Sequence, residues 1–189
     1  VYGEPFEIPQ NEKTTPLNSR LPYAIVKNVG EAFFKSFYQE YNLKYTIFRF
    51  FNTYGPNQSE DFVLPRFLKA ALKNKPINIY GDGLQTRSFC FVKDNVDTCI
   101  KAMQSNDCEN DVINVGSDKE ITILDLAHKI IEMTGSTSEI IMAPALKEGD
   151  MTRRCPDTTK MKNILGRDLV TLEDGINKLI KYYESRNQS

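Results

Sequence analysis

Apolar residues recur at intervals of three and four from Tyr23 to Asn42, at Ile25, Val26, Val29, Phe33, Phe34, Phe37 and Tyr41. This spacing predicts a long amphipathic helix. Lys44 to Arg49 follows at once as a run of aromatic and β-branched residues and reads as a buried strand. A helix that feeds directly into such a strand is half of a parallel α/β unit. Beyond a loop at Asn52 to Glu60, the pattern predicts a helix from Val63 to Lys73 and a short strand from Ile77 to Tyr80. A Gly81-Asp82-Gly83 turn leads to a further strand from Arg87 to Val92. Asp94 to Ser105 reads as a helix, Val112 to Val115 as a strand stopped by Gly116, and Ile123 to Thr134 as a helix stopped by Gly135. Glu139 to Met142 adds a short strand. Thr158 to Leu165 and Leu172 to Glu184 add two helices, the second opened by Thr171-Leu172-Glu173-Asp174 with acidic residues against the helix dipole. Residues 1–22 are polar, carry Pro5, Pro9, Pro16 and Pro22, show no period, and read as an extended loop.

Composition narrows the classes of function. A chain of 189 residues with net charge -1 carries no basic surplus for nucleic acid and no polybasic run for a membrane surface. No stretch approaches the roughly 18 apolar residues of a membrane span. The four cysteines, Cys90, Cys99, Cys108 and Cys155, lack the spacing of a zinc site, and the single histidine, His128, falls inside a helical apolar pattern. Metal is not expected; buried free thiols and a cytoplasmic setting are.

Candidate chemistry begins at Tyr23-Ala24-Ile25-Val26-Lys27. The phenol and ammonium sit four residues apart on one helical face, and a nearby ammonium favours a phenolate able to accept a proton from a substrate hydroxyl. Asn52 stands where a strand ends, the usual ligand-binding edge of an open parallel sheet; it also reads as a turn residue before Gly55-Pro56. Arg87 alternates with Phe89 and Phe91, which places a guanidinium on a buried face, to meet either an anion or a structural carboxylate. Arg153-Arg154 is a second basic point, before a helix that Asp157 or Thr158 can cap. Phe62, Val63 and Pro65 suit either the wall of a base pocket or a plain helix start. No GxGxxG follows a strand, and the chain opens on Val1-Tyr2-Gly3, so it is expected to be the C-terminal part of a longer protein.

Taken together, these segments resemble the extended short-chain dehydrogenase/reductase family, in its nucleotide-sugar epimerase, dehydratase and decarboxylase branch. The resemblance rests on Val1-Tyr2-Gly3, Pro22-Tyr23 with Lys27, Arg49 to Pro56, Ile79 to Gly83, Gln85 to Phe89, Asn114-Val115-Gly116, and Asp150 to Lys160. It implies an α/β fold: the C-terminal part of a Rossmann-like doubly wound parallel sheet, plus a smaller mixed α/β substrate-binding domain. Residues 1–60 would belong to the first and 61–189 mainly to the second, with a segment near 86–115 returning to the Rossmann-like core.

By the same resemblance Tyr23 is the acid/base at carbon 4 of a sugar, and Lys27 holds the ribose of NAD. Phe51 lies near the nicotinamide and Asn52 near the substrate diphosphate. Arg87 and Arg154 clamp that diphosphate, and Phe62, Val63, Ile79 and Tyr80 surround the base. The implied ligand is a UDP- or dTDP-linked sugar, the implied assembly a homodimer built through the Tyr23–Asn42 helix, and the reaction an oxidation at carbon 4 to a 4-keto sugar. Gln85 to Val92 and Arg154 to Asp157 look most like UDP-glucuronate decarboxylases. The Tyr23-to-Lys27 segment sits equally well in a 4-epimerase, and a 4,6-dehydratase stays open. A nucleotide-sugar-binding module without turnover is the non-enzymatic alternative.

Overall fold

Strand pairing divides the chain into sheets of two strands each among the described residues. The structure is a computed structural model that describes residues 1–3, 7–15, 22–145 and 153–186. Pro5, Pro16 and the Asp150–Thr152 start of the last motif lie outside the described residues. Helix α1 (Pro22–Tyr41) runs into β1 (Thr46–Phe50), which pairs in parallel with β6 (Asp111–Val115) so that Arg49 lies opposite Asn114. The expected loop after β1 contains a two-residue strand, β2 (Thr53–Tyr54). After α2 (Val63–Leu72), strand β3 (Ile77–Tyr80) pairs in parallel with β8 (Ile140–Ala143).

The strand expected over Arg87–Val92 is broken. Thr86–Ser88 forms β4, antiparallel to β7 (Glu120–Thr122), whereas Cys90–Phe91 forms β5, parallel to β2. Because the chain changes partner sheet at Phe89, alternation does not survive the step, and Phe91 joins the core while Arg87 and Phe89 line a cavity. Helix α3 (Val92–Met103) follows directly, two residues before its expected start, with Asp94 in its first turn.

The remaining helices form where the periodicity puts them. Helix α4 (Ile123–Thr134) opens on Thr122, whose hydroxyl accepts from the Asp125 amide, and closes on Gly135 at φ 60°. That left-handed angle suits glycine and ends the helix. Helix α5 (Thr159–Leu165) is capped by Asp157 and not by Thr158: the Asp157 carboxylate accepts from the Thr159 amide at 2.9 Å. Helix α6 (Leu172–Arg186) opens on a reciprocal cap between Thr171 and Asp174. His128 is exposed on α4, and Cys90, Cys99, Cys108 and Cys155 are free, with burial pushing the Cys90 thiol up to about 12.

Two apolar cores hold these elements among the described residues. Leu64, Phe67 and Leu68 of α2 pack with Leu126 and Ile130 of α4, Ile77 and Ile79 of β3, and Ile176 and Leu179 of α6. Ile113 and Val115 of β6 pack with Ala102 of α3 and with Met161 and Leu165 of α5. Helix α1 differs from both. Its predicted apolar row, Ile25, Val26, Val29, Phe33, Phe34, Phe37 and Tyr41, is exposed, and Ala24 and Glu31 are its buried residues. Glu31 accepts both arms of the Arg49 guanidinium at 2.8 Å, with each side chain less than a tenth exposed. Removing one partner from so buried a pair costs about 3–5 kcal/mol, because the other charge is stranded.

Close packing leads to one stability prediction. Gly175, on the first turn of α6, lies against the Tyr54 ring, so an added Cβ would overlap its hydroxyl and stand 2.9 Å from Cε2. Alanine raises helix propensity by about 1 kcal/mol, but overpacking against a buried ring costs roughly 1–3 kcal/mol. Gly175→Ala is therefore expected to lower stability, read as a lower urea midpoint at unchanged m-value.

Candidate active site

The β1–β2 connection gathers the expected site. Asn52, between these strands, has φ 33° and a buried side-chain amide nitrogen without a partner among the described residues. It borders three adjoining depressions. The first, ≈ 280 Å³, is lined by Asn52, Phe62, Val63, Ile79, Tyr80 and Arg87, six of the residues expected to hold substrate, with Gln58, Asp61, Arg66 and Gln85. Phe62 is exposed on the rim, whereas Ile79 is fully buried and belongs to the core beneath the cavity. Arg87 is 9% exposed, and its Nη1 donates to the Thr86 carbonyl at 2.7 Å.

The other two depressions, ≈ 150 and ≈ 740 Å³, hold Tyr23, Arg49, Phe50, Asn52 and Arg154; the smaller also holds Phe51, and the larger Lys27. The Lys27 ammonium lies 5.4 Å from the centre of the Tyr23 ring, over its face, as i, i+4 placement allows. Tyr23 itself is 73% exposed. Phe51 is buried against the Tyr2 ring, 6.0 Å between centres, and Gly116 lets the chain pass beside it, since a Cβ there would stand 2.8 Å from that of Phe51. Arg87 lines the first of these depressions and Arg154 the other two, and Asn52 borders all three.

Several participants escape a reading of the sequence. Glu120 braces the two arginine-bearing segments: it accepts from the Thr86 hydroxyl at 2.7 Å, next to Arg87, and from Arg153 Nε at 2.9 and 3.0 Å, next to Arg154. Arg66 crosses the cavity wall with its guanidinium 5.5 Å from the Tyr80 ring centre. Tyr2 donates to the Asn114 side chain at 2.7 Å, and its ring lies 4.6 Å from the Arg49 guanidinium. Partners this distant in sequence leave no periodic trace.

A family model described as the NAD dependent epimerase/dehydratase family matches residues 1–116. The chain belongs to this family. UDP-glucuronic acid decarboxylase 1 of Danio rerio is 34% identical over 190 residues, covering 97% of this chain and 45% of the relative. The UDP-glucose 4-epimerase of Thermotoga maritima, solved with UDP-glucose, matches at TM-score 0.91 and 32% identity, over 99% of this chain and 61% of that one. The UDP-glucuronic acid 4-epimerase of Bacillus cereus, solved with UDP-glucuronic acid and NAD, matches at TM-score 0.87 and 26% identity, over 98% of this chain and 59% of that one. The chain spans about half the length of the curated relatives it matches.

NAD is the cofactor of the epimerase/dehydratase family. A phenol and an ammonium that line one open depression suit the hydroxyls of its ribose, so the residues present fit that end of the cofactor. The Glu120 brace has a pH signature. Arg153 holds the Glu120 carboxyl below the usual carboxylate range, helped by Thr86 against the opposing effect of burial. A depressed carboxylate contributes stability above its unfolded pKa and loses it as pH falls through the folded value. Glu120→Gln is expected to lower stability at pH 7 by at most about 1 kcal/mol, given the exposure of Arg153, and the difference from wild type to shrink as pH falls below the ordinary glutamate range in paired thermal melts.

Proposed function

We propose that the whole protein is an NAD-dependent nucleotide-sugar enzyme working through a 4-keto sugar, and that its reaction is decarboxylation of UDP-glucuronate. The observation that carries the enzyme reading is the junction at Asn52, which joins the Tyr23 depressions to the Arg87 cavity. A sugar nucleotide laid across it would put its base between Phe62, Val63 and Tyr80 and its diphosphate near Asn52 and Arg87. The sugar would then extend toward Tyr23, with Arg154 on the same side. The choice of decarboxylase rests on similarity across nearly the whole chain to UDP-glucuronic acid decarboxylases. A 4-epimerase is the second reading, favoured by the fold match to the Thermotoga enzyme.

In this reading the Tyr23 oxygen takes the proton from the hydroxyl on carbon 4 and later returns it. Lys27 holds the cofactor ribose and keeps positive charge beside the phenol. Held there, NAD would supply the acceptance and return of hydride at carbon 4. A ketone at carbon 4 makes the carbon 5 carboxylate a β-keto acid: the carbon–carbon bond breaks, its electron pair moves into the carbonyl, carbon dioxide leaves, and a proton taken up at carbon 5 restores the ketone to which hydride returns. Asn52 supplies an amide donor already removed from water, and Arg87 a charge held by the cavity wall, so little ordering remains when the diphosphate arrives. The exposed apolar row on α1 supports a homodimer through that helix, and the cytoplasm as the site of action remains part of this proposal.

Incubation of the whole protein with UDP-glucuronate and NAD is expected to release carbon dioxide and form a pentose nucleotide, followed by mass and NMR. A product of unchanged mass would establish the epimerase reading instead. Tyr23→Phe is expected to lower kcat by about 100-fold or more with sugar-nucleotide affinity within a few-fold. Arg87→Ala is expected to weaken binding roughly 10- to 100-fold, the worth of a charged hydrogen bond, in titration calorimetry. Full activity in Tyr23→Phe would remove the catalytic assignment.

A further inference from the structure

Tyr23, Lys27 and Glu31 follow one another at steps of four residues and so lie along one face of α1. The third of them ties that face to the sheet. Glu31 is 6% exposed and so is Arg49, and the carboxylate takes two parallel hydrogen bonds from Nε and Nη2 at 2.8 Å each. Arg49 belongs to β1, immediately ahead of the Phe50-Phe51-Asn52 segment, and it lines both depressions that contain Tyr23. Its guanidinium is fixed from other directions as well. The Tyr2 ring covers it, the Tyr2 hydroxyl is anchored on Asn114, and Asn114 is the partner of Arg49 across the β1–β6 ladder.

Apolar contact would let a helix slide or roll by a fraction of a turn with little change in energy. A bidentate guanidinium–carboxylate pair fixes both distance and rotation, because both bonds are lost together when the planes separate. Ala24 is the one other buried residue of α1, so the pair sets where this helix stands. We propose that Glu31 and Arg49 are positioning residues that hold Tyr23 and Lys27 in register with Phe51 and Asn52, an inference that rests on the catalytic reading of Tyr23. Neither residue touches the reacting atoms; each acts through the placement of α1.

The test compares two variants of the whole protein, Glu31→Gln and the apolar pair Glu31→Leu with Arg49→Met. The pair replaces buried charges by side chains of similar volume, a change that is often neutral or stabilising. Both variants are expected to lower kcat about 100-fold, the cost of misplacing a catalytic group by about 1 Å. Sugar-nucleotide Kd is expected to stay within about threefold, and the melting temperature of the apolar pair near that of wild type. Hydrogen exchange supplies a readout independent of turnover: in the apolar pair α1 amides are expected to exchange about tenfold faster with α2 and α4 unchanged, and in Glu31→Gln α1 amides are expected to accelerate more than those of α2 and α4.

A stable apolar pair with wild-type kcat would overturn the proposal, as would unchanged exchange in α1. If the apolar pair fails to fold, Glu31→Gln decides by the same readouts. Tyr23→Phe serves as the control: retained activity there would sink the functional reading, while the exchange data still judge the placement of α1.

Discussion

A buried ion pair holds the part of this molecule on which its chemistry is proposed to depend. Taking a carboxylate and a guanidinium out of water costs several kcal/mol for each ion, and their attraction only roughly offsets that cost. Glu31 and Arg49 therefore contribute more to geometry than to net stability. The guanidinium keeps its proton firmly: burial works against the charge, but the hydrogen bonds and charge of Glu31 and the contact with Tyr2 outweigh it and raise its pKa. With Tyr2 over the guanidinium and Asn114 beneath the Tyr2 hydroxyl, one cluster joins the start of the chain, α1 and both strands of the β1–β6 pair.

The pair matters because of what lies at the end of β1. Parallel strands leave their ligand crevice at the carboxyl ends, where the chain must turn away from the sheet. Here the turn falls at Asn52, in a backbone conformation that asparagine tolerates better than most residues. Its side-chain nitrogen is held away from water without a partner among the described residues, and a polar atom so placed favours a ligand that supplies an acceptor. Exposed Phe50 and buried Phe51 lead into that position, and Gly116 just after β6 leaves the room that Phe51 needs.

Much of the fold was legible because long periodic segments leave strong signals. Helices α2, α4 and α6 and strands β3 and β6 follow the hydrophobic pattern, and the stop at Gly135 and the start at Thr171 follow from local chemistry. Strand β2, two residues long, and β7, three, are too short to show a period, and they exist through their partners. The break at Phe89 comes from a change of sheet, which alternation along one strand cannot express. Tyr23 and Lys27 announce themselves by spacing. Glu31 does not: it sits on the polar side of the same helix, where a charged residue normally reads as solvated, and it is buried only because Arg49 meets it from another element.

The two halves of the candidate site stand on different physical supports. The cavity of Arg87 and Tyr80 rests on a close-packed floor in which Leu64, Phe67, Leu68 and Ile79 are at most 1% exposed, so its walls resist displacement. Tyr23 and Lys27 rest on a helix fixed chiefly by one directional contact. A change in the placement of α1 need not disturb the cavity, and a change in the cavity wall need not move α1. On the proposed reading, separate supports of this kind would let one frame keep its hold on a nucleotide while the chemistry at the sugar changes. Relatives that share most of this chain's length and carry out decarboxylation or epimerisation are what such an arrangement permits.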